Sequence, residues 1–146
     1  MDNVRAKRAV HVHRLRVYYE DTDAAGVVYY ANYLRFAERA RTEMLRDMGF
    51  DQVQIRDDED IVFAVRACHV DYLRPSRLDD ELEIHTEVEK VGGASIGIVQ
   101  IVKRGDEVIT EMRVALVCIR HDGRPVRIPA RVRSALADPI SQLNEV

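Results

Sequence analysis

The feature that most constrains the fold is a single long stretch of helical periodicity, residues 31–49, in a chain that otherwise alternates like strands. At about 100° per residue, its apolar side chains gather on one side of a helix. These side chains are Tyr33, Phe36, Ala37, Ala40, Met44 and Met48, flanked by Leu34 and Leu45. The apolar arc covers about half of the circumference, which is wider than a surface helix needs. We therefore expect the rest of the chain to wrap around this helix.

Residue types at its two ends indicate where the helix begins and stops. Asn32 is of the type that caps a helix N-terminus, and Gly49 stands where a left-handed residue commonly ends a helix. Arg41 falls inside the apolar arc and Asp47 at its edge, so we expect both side chains to reach the rim.

Alternating apolar and polar residues predict five strands. They span residues 12–19, 61–73, 81–89, 95–103 and 108–120, with a polar connector at 51–60 and a short, helix-compatible segment at 129–136. Gly92-Gly93 favours a hairpin because both residues can take positive φ. One antiparallel sheet facing one apolar helix lets each bury the other. The prediction is an α+β fold in which a five-stranded antiparallel sheet curls around one long helix.

Length and composition indicate one ordinary globular domain. The chain has 146 residues, of which 47% are hydrophobic and 32% charged, and we expect a single domain at 12–136 between flexible segments at 1–11 and 137–146. The net charge of -3 gives no reason to expect nucleic acid as a partner, since binding phosphates needs a basic surface.

The cellular location follows from hydropathy and cysteine usage. The sequence has no apolar run near the ~20 residues that span a bilayer, and no hydrophobic signal core at its start. Cys68 and Cys118 both lie in strand-like apolar context, where reduced buried thiols are the usual finding. We therefore expect a cytoplasmic protein without a membrane span.

Several patterns resemble catalytic or metal sites but lack the required context. Residues 93–97 match G-x-S-x-G, yet they lead into a predicted strand instead of a helix. Cys68 and His69 are neighbours in a strand and point to opposite faces. His11 and His13 lack a third zinc ligand at suitable spacing, and the acidic residues at 20–23 have no phosphate loop nearby. We expect no metal.

The acidic turn before the helix is the strongest candidate for a reaction centre. Asp23 is followed by Ala24, Ala25 and Gly26, which leave room for a ligand to approach the backbone, and then by an apolar wall that begins at Val27. The helix N-terminus that follows carries unpaired N–H groups and partial positive charge, so it can hold an oxyanion. The alternative is structural, because Asp often accepts backbone N–H bonds within a turn.

This turn and its helix resemble a known family. The run YYEDTDAAGVVYYANYLRFAERARTEML is similar to the signature of the 4-hydroxybenzoyl-CoA thioesterase-like branch of the hotdog fold. It is more similar still to the YbgC-type acyl-CoA thioesterases associated with the Tol-Pal system. The strand at 62–65, the segment YLRPSRLDDELEI and the run VCI followed by Arg127-Ile128-Pro129 resemble that family in the same order, so the likeness covers about residues 12–135.

The resemblance implies a fold, an assembly and a reaction. The fold is a hotdog, and members form dimers across paired sheets and often tetramers, with each active site at a subunit interface. Asp23 matches the catalytic aspartate, and Tyr30 matches the position whose backbone N–H polarises the thioester carbonyl. Many YbgC-type members have His where this chain has Tyr30, so a contribution from that side chain is absent here.

The implied activity is hydrolysis of acyl-CoA to a free acid and CoA, without a cofactor. Asp23 acts either as general base or as nucleophile. Gly26 and Val27 are expected to contact the substrate, and Arg66, Arg74, Arg77 and Arg127 are candidates for holding CoA phosphates, with Arg127 preferred.

Two alternatives remain open. One is a non-catalytic subunit that binds acyl-CoA or acyl carrier protein. The other is a hotdog dehydratase or hydratase, which needs a His with an acid on the helix, and the helix here has no His.

Overall fold

The structure, a computed structural model, describes residues 10–137. Its elements in chain order are β1 (His11–Arg16), a 3₁₀ turn (Tyr19–Asp21), α1 (Asn32–Asp47), α2 (Gln52–Glu59), β2 (Val62–Tyr72), β3 (Glu81–Val91), β4 (Ser95–Arg104), β5 (Glu107–Ile119) and α3 (Ala130–Ala137). The predicted α+β architecture is confirmed. One helix of 16 residues lies against a five-stranded sheet, with two helices of 8 residues beside it.

The strands form one antiparallel sheet in the order β1-β3-β4-β5-β2. Hairpins join β3, β4 and β5, which therefore lie side by side at the centre. The two strands nearest α1 in sequence lie at opposite edges, where β1 pairs with β3 and β2 pairs with β5. This order exposes one long side of β2.

The apolar arc of α1 is buried as the periodicity predicts. Its fully or nearly fully buried residues are Tyr33, Phe36, Ala37, Ala40, Met44 and Leu45. The helix packs on the half of the sheet formed by β1 and β3, where Leu82 and Ile84 are buried. Gly49 ends the helix with φ +96°, as predicted for a left-handed stop.

The predicted polar connector at 51–60 is wrong, because most of it is the helix α2. Asp51 caps this helix, its Oδ1 accepting hydrogen bonds from the amides of Val53 (2.9 Å) and Gln54 (3.2 Å). Asp60 ends it in the left-handed region with φ 55°. Ile55 is the one buried residue of α2, so the segment lacks the apolar stripe by which a helix is recognised.

Three expectations about individual side chains are corrected. Asn32 is the first residue of α1 and not its cap, since its Nδ2 donates to the carbonyl of Asp21 (2.9 Å). Arg41 does not reach the rim but turns under the helix, where its Nη1 donates to Gln100 Oε1 (2.9 Å). Cys68 is exposed instead of buried, because β2 is an edge strand whose inner face α1 does not cover; Cys118 is buried as expected.

The two chain ends and two turns differ in detail from the predictions. The first strand begins at His11 and stops at Arg16, because the 3₁₀ turn takes residues assigned to its end. His11 itself is buried and its Nε2 lies 2.8 Å from Asp47 Oδ2, while the rest of the predicted flexible segments, 1–9 and 138–146, lies outside the described residues.

Neither glycine of the Gly92-Gly93 hairpin has positive φ. A Cβ at Gly92 would lie 2.7 Å from Ser95 Oγ, so the Ser95 side chain would have to turn away to admit one.

None of the helices within residues 10–137 is long and apolar enough to cross a bilayer.

Candidate active site

The acidic turn is built by local hydrogen bonds between β1 and α1. Asp21 Oδ2 accepts from the amide of Tyr18 (2.8 Å), and the Asp21 carbonyl accepts from the amide of Tyr29 (2.9 Å) and from the Asn32 side chain. Thr22 pairs with Val28 across the loop. The carboxylate of Asp21 and the side chain of Asn32 are thus occupied in holding the turn against the start of α1.

Asp23 lies at the tip of this loop and is exposed in the single chain. Its amide donates to the Val27 carbonyl and its carbonyl accepts from the Gly26 amide, each at 2.9 Å, which closes a tight turn over residues 23–26. Gly26 has φ +84°, a value that side chains disfavour, and a Cβ there would meet nothing within 4 Å. Gly26 is therefore needed for its backbone conformation, and the space around it is open.

The Asp23 carboxylate has one oxygen in use and one available. Oδ1 accepts from the Ala25 amide (2.9 Å), which is the turn-capping bond considered from the sequence. Within residues 10–137, no group hydrogen-bonds to Oδ2. The hydrogen bond from the Ala25 amide therefore holds the Asp23 carboxylate in place and leaves its second oxygen unused.

The start of α1 presents free amides next to this loop. The Asn32 amide donates to the Tyr29 carbonyl (2.8 Å) and the Tyr33 amide to the Tyr30 carbonyl (3.4 Å). Among the described residues, no acceptor is found for the amides of Tyr30 and Ala31. Two successive unpaired N–H groups at the positive end of a 16-residue helix can bind an oxygen that carries negative charge.

A second loop, residues 73–80, holds the acidic turn from the other side. The Ser76 carbonyl accepts from the Val28 amide (2.8 Å), and Val27 pairs with Arg77. The Ser76 hydroxyl, fully buried, hydrogen-bonds to the hydroxyl of Tyr33 at 2.5 Å. Burial raises the pKa of Tyr33, so the phenol stays neutral. The acidic turn and the first turn of α1 are therefore both anchored to Ser76.

This second loop is itself tied to the sheet by one arginine. Arg104 Nη1 donates to the carbonyl of Pro75 (3.1 Å) and to Asp80 Oδ2 (2.8 Å), and the same Asp80 oxygen accepts from the Arg77 amide (2.8 Å). The carboxylates of Asp80 and Glu107 raise the pKa of Arg104. Loop 73–80 is thus fixed to the β4–β5 hairpin.

Three tyrosines surround a pocket beside the helix start. The Tyr30 and Tyr72 rings lie edge to face with centroids 5.8 Å apart, and Tyr33 lies 5.9 Å from Tyr72. Val27 and Arg74 complete the wall of this pocket, whose volume is about 240 Å³. A larger apolar cavity of about 380 Å³ lies further along α1, between the helix and strands β4, β5 and β2.

The structure brings four of the five predicted site residues together. Asp23, Gly26, Val27 and Tyr30 all belong to the loop and helix start just described. Arg127 does not join them, because its guanidinium lies beside Gly93, at the hairpin that follows β3, whereas loop 73–80 precedes β3. β3 has 11 residues, so at about 3.3 Å per residue the two ends lie more than about 30 Å apart. Arg74 and Arg77 are the basic candidates on the Asp23 side.

Residues that the sequence did not single out complete the site. Ser76 and Tyr72 fall within the segment YLRPSRLDDELEI, which was noted for resemblance and not for chemistry. Their position beside Tyr33 follows from the pairing of β2 with β5 and of loop 73–80 with the acidic turn. In the part of the chain that the structure covers, no group of three His, Cys, Asp or Glu side chains is placed to hold a metal ion.

Comparisons with known proteins agree with this architecture. The sequence profile of the thioesterase-like superfamily matches residues 17–136. The chain is 42% identical over 122 residues to the acyl-CoA thioesterase YbgC of Haemophilus influenzae, covering 83% of this chain and 90% of that protein. It is 50% identical over 106 residues to the acyl-CoA thioester hydrolase YbgC of Escherichia coli O6:H1, covering 72% and 78%.

A solved structure shows the same fold. The crystal structure of a probable thioesterase from Bartonella henselae superposes with a TM-score of 0.80 at 36% identity, over 83% of this chain and all of the other. This likeness confirms the hotdog fold that the sequence predicted. The profile match spans most of the chain, and the relatives are similar over most of their own lengths. The chain therefore belongs to the thioesterase-like superfamily.

Proposed function

We propose that this protein hydrolyses acyl-CoA thioesters to a free acid and CoA, with Asp23 as the reacting carboxylate. One observation carries the proposal: a carboxylate oxygen without a partner and two unpaired amides belong to the same loop–helix junction. A thioester carbonyl placed there would meet a base or nucleophile on its carbon and hydrogen-bond donors on its oxygen. The similarity to proteins named acyl-CoA thioesterases supports the same activity.

The chemistry needs little from the protein beyond these groups. A thiolate is a good leaving group, so a carboxylate of ordinary basicity can either activate water or attack the carbonyl to form a mixed anhydride. In both routes negative charge develops on the carbonyl oxygen, and the amides of Tyr30 and Ala31 are positioned to stabilise it. In the first route the CoA thiolate leaves as the tetrahedral intermediate collapses and takes from Asp23 the proton that came from water. In the second route the thiolate leaves as the anhydride forms, and water then hydrolyses the anhydride, which releases the acid and regenerates Asp23.

We place the acyl group between α1 and β2 and the CoA phosphates near basic side chains. Gly26 leaves the backbone open to the substrate, and Val27 forms part of the wall of the tyrosine pocket. Arg74 and Arg77 can reach the phosphates from the same chain. Arg127 can do so only from a second copy, because within one chain it lies at the far end of β3.

We propose that the active form is at least a homodimer. β2 is an edge strand with exposed apolar side chains, including Val62 and Val65, and such an edge favours pairing with another strand. A second copy on this edge would also shield Asp23, which is exposed in the single chain. Acyl carrier protein, a second carrier of thioesters, is a further candidate partner, and the cytoplasm stays the expected location.

Asp23→Asn tests the catalytic assignment. The amide keeps the size of the side chain and its acceptor for Ala25 but cannot act as base or nucleophile. We expect normal folding, retained binding of acyl-CoA and a loss of at least about 100-fold in kcat on a panel of acyl-CoAs, followed by release of free thiol. Asp21→Asn is the matched control for folding, since its carboxylate holds the turn and has no proposed chemical role.

The outcomes separate enzyme from binding subunit. Equal turnover by wild type and Asp23→Asn would reject Asp23 as the reacting group. A wild type that binds acyl-CoA or acylated carrier protein without releasing thiol would instead identify a non-catalytic binding subunit.

A further inference from the structure

The large cavity beneath α1 exists because the helix covers only half of the sheet. α1 packs mainly on β1 and β3, and the cavity lies between the helix and residues of β4, β5 and β2 on the same side. The cavity of about 380 Å³ is lined mainly by apolar side chains, among them Met44, Phe63, Ile98 and Val114. This volume is within the range of pockets that hold small ligands.

The cavity and the tyrosine pocket at the candidate active site are lined by the same faces of α1 and β2. Tyr30 and Leu34 are four residues apart at the start of α1, so they share a face, and Leu34 lines the cavity. On β2, side chains alternate between the two faces, so Tyr72 and Cys68, four residues apart, lie on the same face. Cys68 also lines the cavity. The two pockets therefore follow one another along the same faces of α1 and β2.

Three charged residues, Arg35, Glu38 and Arg41, line this cavity, and Arg41 is the least exposed of them. Arg41 lines the cavity, and its Nη1 donates to Gln100 Oε1. Gln100 is fully buried, and its Nε2 donates to the Ala37 carbonyl and to Thr86 Oγ1, each at 3.0 Å. Because both protons of that amide are used, its oxygen is fixed toward Arg41. The arginine is thus held in one position by a prearranged acceptor.

The guanidinium is left with unused donors and no counter-ion. It has five N–H groups, and within residues 10–137 its one hydrogen-bond partner is Gln100 and it forms no ion pair. Burial lowers the pKa of Arg41 and the carboxylate of Glu38 raises it, so Glu38 acts at a distance. Glu38 also lines the cavity, but it is exposed to solvent, where water and salt weaken its repulsion of another anion.

A partly buried cation is stabilised when a ligand supplies an oxygen to its free donors. Along α1, Arg41 lies about three turns beyond Tyr30, or roughly 16 Å at 1.5 Å per residue, and its side chain leans back toward the helix start. An acyl group whose thioester lies at Tyr30 would therefore bring its far end toward Arg41.

We propose that Arg41 is a specificity-determining residue that selects acyl groups carrying a carboxylate at the end far from the thioester. Gln100 is its positioning residue. The inference rests on the proposed acyl-CoA hydrolysis and names the class of substrate for that site.

The test compares matched substrates of equal length. Wild type and Arg41→Met are assayed with pairs from hexanoyl-CoA and adipoyl-CoA to dodecanoyl-CoA and dodecanedioyl-CoA. In wild type we expect the carboxylated member to have the higher kcat/KM at the preferred length. In Arg41→Met the ratio of kcat/KM within that pair should fall by about tenfold or more, the effect of losing a charged hydrogen bond. Arg41→Lys should retain more of the ratio than Arg41→Met.

Arg39→Met is the matched control. Arg39 is on the same helix, outside the cavity, with its guanidinium 5.9 Å from the centre of the Phe36 ring. Its replacement removes the same charge and should leave the substrate ratio as in wild type.

Each other outcome counts against the proposal. A wild type that hydrolyses plain acyl-CoAs at least as well as carboxylated ones overturns it, even if Arg41→Met fails to fold. A wild type that hydrolyses no acyl-CoA rejects the proposed function and this inference together. If Arg41→Met changes the oligomeric state by light scattering but not the ratio, Arg41 belongs to a subunit contact instead.

Discussion

Single side chains hold the candidate site together through a buried hydroxyl pair. Ser76 binds the Tyr33 hydroxyl by its side chain and the Val28 amide by its carbonyl, so the acidic turn and the first turn of α1 share one anchor. Both residues are buried, at 0% and 3% exposure, so bulk solvent has little access to either side chain. The loss of either hydroxyl leaves the other without its partner.

Tyr33→Phe should lower both stability and turnover. We expect a loss of about 1–3 kcal/mol in the free energy of unfolding, the cost of an unsatisfied buried hydroxyl at Ser76. Because the helix start would be less well held, kcat should fall more than KM rises. Denaturant unfolding and steady-state hydrolysis measure the two effects.

A double mutant separates the pair from general damage. Ser76→Ala in the Tyr33→Phe background removes the unsatisfied group, so the double variant should be destabilised by less than the sum of the single changes. Tyr29→Phe is the control, because the Tyr29 ring is 46% exposed and near-wild-type stability is expected. Additive single effects would show that the two hydroxyls do not act as a pair.

Individual helices and strands differ in how clearly local sequence marks them. The arc of α1 is visible because six of its residues are buried on one side. α2 buries Ile55 alone, and its helical state depends on the cap at Asp51 and the left-handed stop at Asp60. A short helix with one buried residue depends more on its cap than a long amphipathic one.

Asp51→Ala should therefore destabilise the protein measurably. Loss of an N-cap acceptor typically costs about 1 kcal/mol, and here the bonds to the amides of Val53 and Gln54 are both lost. Thermal and denaturant unfolding report the change. Asp58→Ala, an exposed replacement within the same helix, should have an effect near zero, and equal losses in the two variants would contradict the capping role.

Across residues 10–137 as a whole, the side of β2 that no other described strand covers has the largest consequence. An edge strand with exposed valines beside an open cavity is not a stable end state for a sheet. We proposed above that a second copy covers it. In that dimer we expect Arg127 of the second copy to contact CoA, since within one chain it lies at the far end of β3.

Val65→Lys should weaken the proposed dimer. A charge on this apolar edge would have to be buried at the subunit contact, so we expect the dimer dissociation constant to rise at least about tenfold. Analytical ultracentrifugation over a range of protein concentrations measures it. Val53→Lys is the matched control, because Val53 on α2 is 55% exposed and Val65 is 52% exposed. A wild type that is monomeric at concentrations where it is fully active would contradict the dimer.

Much of the fold and part of the site follow from local patterns. The helical period of residues 31–49, the alternation of the strands, the stop at Gly49 and the carboxylate before the helix are properties of neighbouring residues, and each depends on backbone geometry within a few positions. The hotdog fold and the superfamily were likewise recognised from continuous runs of sequence. Asp23 and the Tyr30 amide belong to one loop–helix junction because they are seven positions apart in the sequence.

The remaining features depend on contacts between distant segments. Cys68 looked buried because its neighbours are apolar, but β2 became an edge strand through its pairing with β5, and α1 settled over the opposite half of the sheet. Arg41 lies inside because its guanidinium donates a hydrogen bond to Gln100 Oε1 on β4. Ser76 reached Tyr33 across a long stretch of chain. Local periodicity indicates which side of a helix or strand is apolar. Which other helix or strand packs on that side depends on strand order, and strand order is set by the packing of the whole domain.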